Sequence, residues 1–368
     1  MGLAAFLVVI QSLILLVHWI VFRSMAHYLD VQPLTEQFLG WFFVLLSFSF
    51  LLSNISTRLF PGTLTRTAYF FSAIWLGTVH FLFLGAVVIA LLQLLSDFLL
   101  IAMPAWVALV TYLTAFTLSC FALWQAYEVH IVRHTIHLPH LPSHWQGKKV
   151  VFFADTHYGN IHREQAAQYT SKMIEAENPS LILMGGDFFD GPPIDAAIVT
   201  HPYKNLATRV PTFFVSGNHE EYGRKAEFLQ SLEKNGFRII NDRKEVLDGL
   251  QIVGLDFMTT RTHAATEMTL KHLELDRTLP TIVMKHIPRH MEEIEAAGGH
   301  LMLSGHTHQG QVWPASLITR YIYRGFDYGL KTYKDLQVYT TSGTGSWGPP
   351  QRFGTHAEIV VFTLEKKS

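Results

Sequence analysis

Apolar positions crowd the first 126 residues and then give way to short apolar runs separated by polar clusters. Four long runs come first, over residues 3–22, 38–55, 68–95 and 98–126. The first is interrupted only by Gln11, Ser12 and His18 and has the length needed to cross a hydrocarbon core of ~30 Å. The second is short but carries Trp41 at one edge. The third is long enough to tilt, and Ser96-Asp97 reads as a tight turn before the fourth. No basic stretch precedes the first run and no small-x-small site follows it, so it reads as a span rather than a cleaved leader. Phe6 breaks the myristoylation pattern.

After residue 148 the period changes. Strands are expected at 150–154, 181–184, 212–215, 238–240, 251–255, 281–284, 300–303, 336–340 and 358–364, with helices at 163–177, 226–235, 262–275 and 289–297. Sheets covered by helices follow from such alternation. The expected organisation is a four-helix transmembrane region (1–128), a juxtamembrane connector (129–147) and an α/β domain (148–368). The connector holds His130, His134, His137, His140 and His144. Helical spacing would gather them into a metal or proton site, but Pro139 and Pro142 break a helix there. Val129 and Ile131 alternate like a strand, and the stretch is read as a solvated linker beside the headgroups. His18 and His80, inside spans, are read as neutral and hydrogen-bonded to neighbouring helices.

Charge sharpens this picture. Only 15% of residues are charged, against roughly 25% in an ordinary soluble domain, and the deficit lies in the first 128. Four spans put Arg58, Arg66, Arg133, Lys148 and Lys149 on one side, with Arg23, Asp30, Glu36 and Asp97 on the other. The expectation is a multi-pass protein of the cell membrane whose C-terminal domain faces the cytoplasm. A net charge of −1 and the lack of a basic stripe argue against a nucleic-acid partner. Cys120 is the single cysteine, which excludes intrachain disulfides and a cysteine-based zinc site.

The candidate chemistry lies in five clusters, each following an apolar run: Asp155-Thr-His157, Gly186-Asp187-Phe-Phe-Asp190, Gly217-Asn218-His219-Glu220, Lys285-His286 and Gly305-His306-Thr-His308. Each is expected at a strand's C-terminal end, where ligands converge in α/β sheets. Asp, Asn and His offer oxygen and nitrogen donors, which suit divalent Mn, Fe or Zn. Seven donors exceed what one tetrahedral ion needs. They suit two ions about 4 Å apart with a bridging carboxylate, an arrangement used for displacement at phosphorus. Gly186, Gly217 and Gly305 precede donors where backbone must turn sharply and come close to a metal.

This order of motifs resembles the calcineurin-like metallophosphoesterase superfamily. The Gly305–Gln311 run and Arg352-Phe353-Gly354 are similar to its membrane-anchored YkuE-like branch. The resemblance covers residues 148 to about 364 and implies a two-sheet β-sandwich flanked by helices. It implies one metal on Asp155, His157, Asp187 and His308 and a second on Asp187, Asn218, His286 and His306, with Asp187 bridging. It also implies that His219 stabilises the transition state or protonates the leaving group, oriented by Asp190. No role is assigned to Glu220. Thr156 and Gln309 stand where many relatives have Leu and Gly, and neither supplies a ligand.

The expected activity is hydrolysis of a phosphate ester or pyrophosphate by hydroxide bridging two cations. The alternatives are a phosphodiesterase acting on soluble nucleotides and a catalytically silent membrane scaffold. Residues 312–326 are apolar and aromatic, with Arg320 and Arg324 as candidate substrate-binding residues. One reading is a lid or core segment on the sandwich. The other is an interfacial element with its arginines on lipid phosphate, making membrane lipids partners and the substrate lipid-linked.

Overall fold

The computed structural model describes residues 3–191, 194–222 and 224–367. It comprises two compact units, Met1–Gln125 with Gly348–Gln351, and Ala126–Trp347 with Arg352–Ser368.

The first unit holds α1 (Leu3–Tyr28), α2 (Pro33–Leu59), α3 (Thr63–Phe98) and α4 (Ala105–Gln125), all long and apolar enough to cross a membrane. Small hydroxyls join the helices: Ser53 and Ser72 lie 2.6 Å apart, Thr78 and Ser119 2.9 Å, the kind of polar contact that packs helices in lipid. Trp75 Nε1 donates to His18 Nε2 (2.9 Å) while His18 Nδ1 faces the Ile14 carbonyl (2.8 Å). Both ring nitrogens are thus used, as in a neutral imidazole. The His80 ring packs edge-on against Phe81. Ser96 and Asp97 do not form the expected turn. Gln93 donates to Asp97 Oδ1 one helical turn on (2.7 Å), which keeps α3 going to Phe98. The break falls at 99–104, just before α4, where Pro104 stands.

The second unit contains twelve strands among the described residues: β1 (Val129–Leu138), β2 (Lys149–Phe153), β3 (Leu181–Met184), β4 (Thr212–Phe214), β5 (Arg238–Ile239), β6 (Arg243–Leu247), β7 (Leu250–Leu255), β8 (Thr281–Lys285), β9 (Leu301–Ser304), β10 (Gly329–Tyr333), β11 (Leu336–Thr340) and β12 (Ala357–Lys366). Its helices are α5 (Glu164–Ala176), α6 (Ala196–Thr200), α7 (Lys204–Arg209), α8 (Lys225–Lys234), α9 (His263–Leu273), α10 (Met291–Ala297) and α11 (Ala315–Ile322). One six-stranded sheet runs β1-β12-β2-β3-β4-β5 and the other β10-β11-β9-β8-β7-β6.

The alternation of side chains along the strands builds three layers of core. In β2 and the residue after it, Val150, Phe152 and Ala154 point between the sheets, where they meet Leu183, Phe213, Ile252, Met284 and Leu303. Val151 and Phe153 point outward, to a layer containing Ala167 and Ile174 of α5, Leu206 of α7 and Phe228 and Leu232 of α8. On the far side, Val253, Val283 and Met302 pack with Leu270 of α9 and Ile294 of α10. Two stacked sheets with helices outside each are what this pattern dictates. The fold class expected from the sequence, four apolar helices followed by an α/β sandwich, is the one observed.

The stretch expected as a linker is corrected. Residues 129–138 form β1, paired in parallel with β12 from Val129↔Ala357 to Leu138↔Lys366. Ten consecutive residues gain ladder partners, so a solvated coil would have to forgo all of them. A strand also places His130 and His134 on one face and His137 on the other, so these histidines do not gather into one site. β6 and β10 were not expected either. They are antiparallel partners at the two edges of the second sheet, with polar, partly exposed sequences that carry little strand signal.

Candidate metal centre

Each donor loop leaves a strand of the second unit at its C-terminal end: Asp155 and His157 after β2, Asp187 and Asp190 after β3, Asn218 and His219 after β4, His286 after β8, and His306 and His308 after β9. The two sheets therefore aim these loops at one place. His157 Nε2 and His308 Nε2 stand 2.9 Å apart. His286 Nε2 lies 3.1 Å from Asp187 Oδ2 and 3.2 Å from Asn218 Oδ1. Asp155 Oδ1 is 3.8 Å from His308 Nε2 and 3.9 Å from His286 Nε2. Three trios have donor atoms within 4.8 Å of one another: Asp155-His157-His308, Asp187-His286-His306 and His157-Asp187-His219. All seven residues expected as ligands thus converge. His219 comes as close to His157 and Asp187 as a ligand would.

The backbone is bent to achieve this. Asp155, His157, Asp187, His306 and His308 all have φ between 46° and 70°, a left-handed conformation costing roughly 1 kcal/mol or more each for such residues. Strain of this kind clusters at functional sites. Gly186 takes the sharp turn expected of it, with φ 94°, while Gly217 and Gly305 answer a different need. A Cβ on Gly217 would lie 2.1 Å from Asp187 Oδ1, and one on Gly305 would lie 2.2 Å from Asp155 Oδ2. At these two positions glycine makes room for the carboxylates.

Electrostatics follow from burial. Burial and the neighbouring Asp187 carboxylate push Asp155 up to about 6. Burial works the same way on Asp187, but the charge of His286 overrides it and holds Asp187 well below the ordinary carboxylate range. His286 gains correspondingly: burial disfavours its charge, and Asp187 nevertheless carries it up to about 9. Two buried carboxylates therefore draw positive charge to this point, and divalent cations are the strongest local source of it. The donors are oxygen and nitrogen only, which fits hard or borderline divalent ions.

Asp190 sits between two imidazoles, with Oδ1 3.3 Å from His157 Nδ1 and 3.5 Å from His219 Nδ1. Its backbone carbonyl also faces His219 Nδ1 at 3.2 Å. It is placed to orient both rings rather than His219 alone. Tyr222 packs edge-on against His219, 4.9 Å between centroids, and its hydroxyl accepts from Asn218 Nδ2 (3.2 Å). Thr156 is buried and donates to the Phe188 carbonyl (2.9 Å), tying the first donor loop to the second. Lys285, although next to His286, turns to Thr260, with Nζ 2.8 Å from its carbonyl and 2.7 Å from its hydroxyl.

Two residues were undervalued by sequence reasoning. Glu220 is completely buried and accepts four backbone N–H bonds, from Asp187 and Gly217 on one oxygen (3.0 and 2.7 Å) and from Phe188 and Phe189 on the other (2.9 and 3.2 Å). Burial and Asp187 push it up to about 7, while the four donors favour the carboxylate. It clamps the β3 and β4 loops together. Arg352, also fully buried, donates through Nη2 to the carbonyls of Ser342 (2.7 Å) and Gly345 (2.6 Å). These belong to a loop packed against the site, since a Cβ on Gly343 would lie 2.9 Å from Asp155 Cβ and 3.2 Å from His308 Nδ1. The only sequence signal was the Arg-Phe-Gly run.

Arg320 and Arg324 do not join the donors. They are exposed, on α11 and just beyond it. The nearest link is Tyr323, whose ring lies 6.3 Å from that of His306 and under the Arg289 guanidinium at 5.4 Å. None of the side chains of α11 is buried, so this segment is not part of the core.

Comparison with known proteins agrees with this geometry. A calcineurin-like phosphoesterase family model matches residues 148–310. An uncharacterised metallophosphoesterase of Helicobacter pylori is 29% identical over 224 residues, covering 60% of this chain and 60% of that protein. A transmembrane protein with metallophosphoesterase domain from Bos taurus is 27% identical over 254 residues, 63% of this chain and 56% of that one. The uncharacterised metallophosphoesterase YkuE of Bacillus subtilis is 27% identical over 252 residues, 66% of this chain and 87% of its own. The chain spans about 60% of the length of the Helicobacter relative. Residues 148–310, which carry the five donor loops, match the calcineurin-like phosphoesterases, and the chain carries a calcineurin-like metallophosphoesterase domain.

Proposed function

We propose that the chain is a membrane-anchored metallophosphohydrolase that cleaves a phosphate ester or pyrophosphate of a lipid-linked substrate, with its hydrolytic domain on the cytoplasmic side. The observation that carries the hydrolase reading is the convergence of seven oxygen and nitrogen donors from five loops on one buried point. Asp155, His157, Asp187 and His308 would hold one divalent ion, and Asp187, Asn218, His286 and His306 a second. Such a pair, when bound, supplies water activation and neutralisation of phosphoryl oxygens.

The chain's own side chains do the rest. His219 keeps Nδ1 on the Asp190 carbonyl, which leaves Nε2 to meet the departing oxygen and handle its charge. Asp190 fixes that ring and the neighbouring His157. Glu220 and Arg352 hold the donor loops at their spacing. The four apolar helices support membrane attachment, and the excess of Lys and Arg on one side of them supports the cytoplasmic placement.

The test is hydrolysis by purified full-length protein loaded with Mn, Fe or Zn. Soluble phosphomonoesters, soluble nucleotide diesters and lipid pyrophosphates in mixed micelles would be compared. His219→Ala is expected to lower kcat by roughly 10²- to 10⁴-fold with bound metal retained. Failure of the metal-loaded protein to cleave any of the three classes overturns the enzyme reading in favour of a silent scaffold. Equal cleavage of soluble and lipid substrates removes the lipid-linked part.

A further inference from the structure

α11 presents an unusual surface for a unit whose other helices bury an apolar face. Leu317, Ile318, Tyr321 and Ile322 recur at the spacing of one helix face, and they are 59%, 60%, 85% and 50% exposed, with Trp313 just before them at 47%. The helix is nevertheless held firmly. Thr319 Oγ1 donates to Asp327 Oδ2 (3.4 Å), and the Asp327 carbonyl accepts from Thr307 Oγ1 (2.6 Å), between the donors His306 and His308. At its start, Gly310 approaches the helix so closely that a Cβ there would lie 2.4 Å from Ser316 N. Trp313 N donates to the Phe353 carbonyl (2.9 Å). An exposed apolar face is thus fixed in orientation beside the metal donors.

We infer that this face of α11 seats on the surface of a lipid bilayer, with its arginines on the headgroup phosphates. Three observations select a bilayer over a protein partner. The same chain carries four helices long and apolar enough to cross a membrane, so lipid is available to every molecule. The apolar residues are bordered by cations: Arg320 lies one turn from Leu317, Arg324 follows the helix, and Arg289 covers Tyr323, all three exposed. Trp and Tyr on the apolar side with Arg at its margin is the composition of an interfacial helix. Finally, the patch is small. Eight residues rise about 12 Å on a helix roughly 10 Å across, a footprint of about 120 Å², whereas a stable protein interface buries about 800 Å² per partner. The consequence for substrate rests on the phosphoesterase reading above: a phosphate at headgroup depth would be presented next to His306 and Tyr323.

The test uses the full chain in nanodiscs of phosphatidylcholine and phosphatidylglycerol, and reads depth without turnover. In a Cys120→Ser background, the environment-sensitive fluorophore NBD is attached at Ile318→Cys, Tyr321→Cys and, as a water-facing control on β6, Glu245→Cys. The expected result is blue-shifted emission at 318 and 321, quenched by brominated lipid, with neither effect at 245. Emission at 318 and 321 matching 245 overturns the proposal. Blue-shifted emission without lipid quenching also overturns it, since the occupant would then be protein. Because a label could disturb the helix, native Trp313 gives a second reading. Lipid quenching of tryptophan fluorescence should fall in Trp313→Phe, and an unchanged quench counts against seating. Depth can fail while hydrolysis stands, and hydrolysis can fail while depth stands, so the two readings are separable.

Discussion

His157 and His308 face each other Nε2 to Nε2 at 2.9 Å although 151 residues separate them in the chain. Two neutral imidazoles so placed share one proton at best, and a divalent ion accepting both lone pairs satisfies them together. Asp187, flanked by His286 at 3.1 Å, stands where the two trios built on His157 and His286 overlap. Asp187→Asn is therefore expected to lower metal stoichiometry measured by inductively coupled plasma mass spectrometry. Its affinity loss should exceed the roughly 10- to 100-fold typical of losing an outer hydrogen-bond partner. Stoichiometry unchanged from wild type would count against the shared carboxylate.

Glu220 makes a separate prediction. Glu220→Gln keeps shape but replaces one oxygen by an amino group facing two backbone N–H donors. Leaving buried donors unsatisfied costs about 1–3 kcal/mol each. A lowered melting temperature with weakened metal retention is expected, and Glu220→Ala should be worse. If Glu220→Gln melted and bound metal like wild type, the clamp would not be what holds the β3 and β4 loops.

Arg352 tests the opposite charge. Arg352→Met strips the buried carbonyls of Ser342 and Gly345 of their donor, at about 1–3 kcal/mol for each group left unsatisfied. Thermal unfolding should show the loss. Arg352→Lys should recover little of it, because a single ammonium cannot reproduce the planar fork. Full recovery by Lys would reduce the role of Arg352 to charge alone.

A pH dependence follows from His162, which is buried just after the donor His157 in the chain and is not one of the expected ligands. Burial, with His157 adding to it, lowers its pKa to about 4, and its Nε2 accepts from Ser346 N (3.1 Å). Unfolded, it titrates near 6.5, so between pH 6.5 and 4 the unfolded chain binds the extra proton. Stability should therefore fall as pH drops through that window, by up to about 1.4 kcal/mol per pH unit from this group. The measurement is the melting temperature of wild type and His162→Gln from pH 7 to 4. A wild-type slope no steeper than the variant's would contradict it.

Legibility in the sequence divided along physical lines. The donor loops were readable because each follows a buried strand directly, so that the apolar run announced where Asp155, Asp187, Asn218, His286 and His306 would be delivered. Glu220 was not, because its four partners are backbone amides, three of them more than 30 positions away. Arg352 showed only through the Arg-Phe-Gly run, because its partners Ser342 and Gly345 are met through their backbone carbonyls, which leave no side-chain pattern. α11 could be seen as apolar and aromatic, but nothing in the pattern said whether that surface was buried. Histidines and prolines between 130 and 144 masked β1, whose strand character is decided by β12 at the other end of the chain.

That parallel pairing bears on how the second unit can be cut from the four apolar helices. The family model's match begins at residue 148, and a fragment started there would lack β1. It would leave the β1-facing edge of β12 as an open ladder of unpaired amides and carbonyls, an invitation to edge-to-edge aggregation. A soluble fragment meant to preserve the sandwich should begin no later than residue 126, where the second unit itself begins.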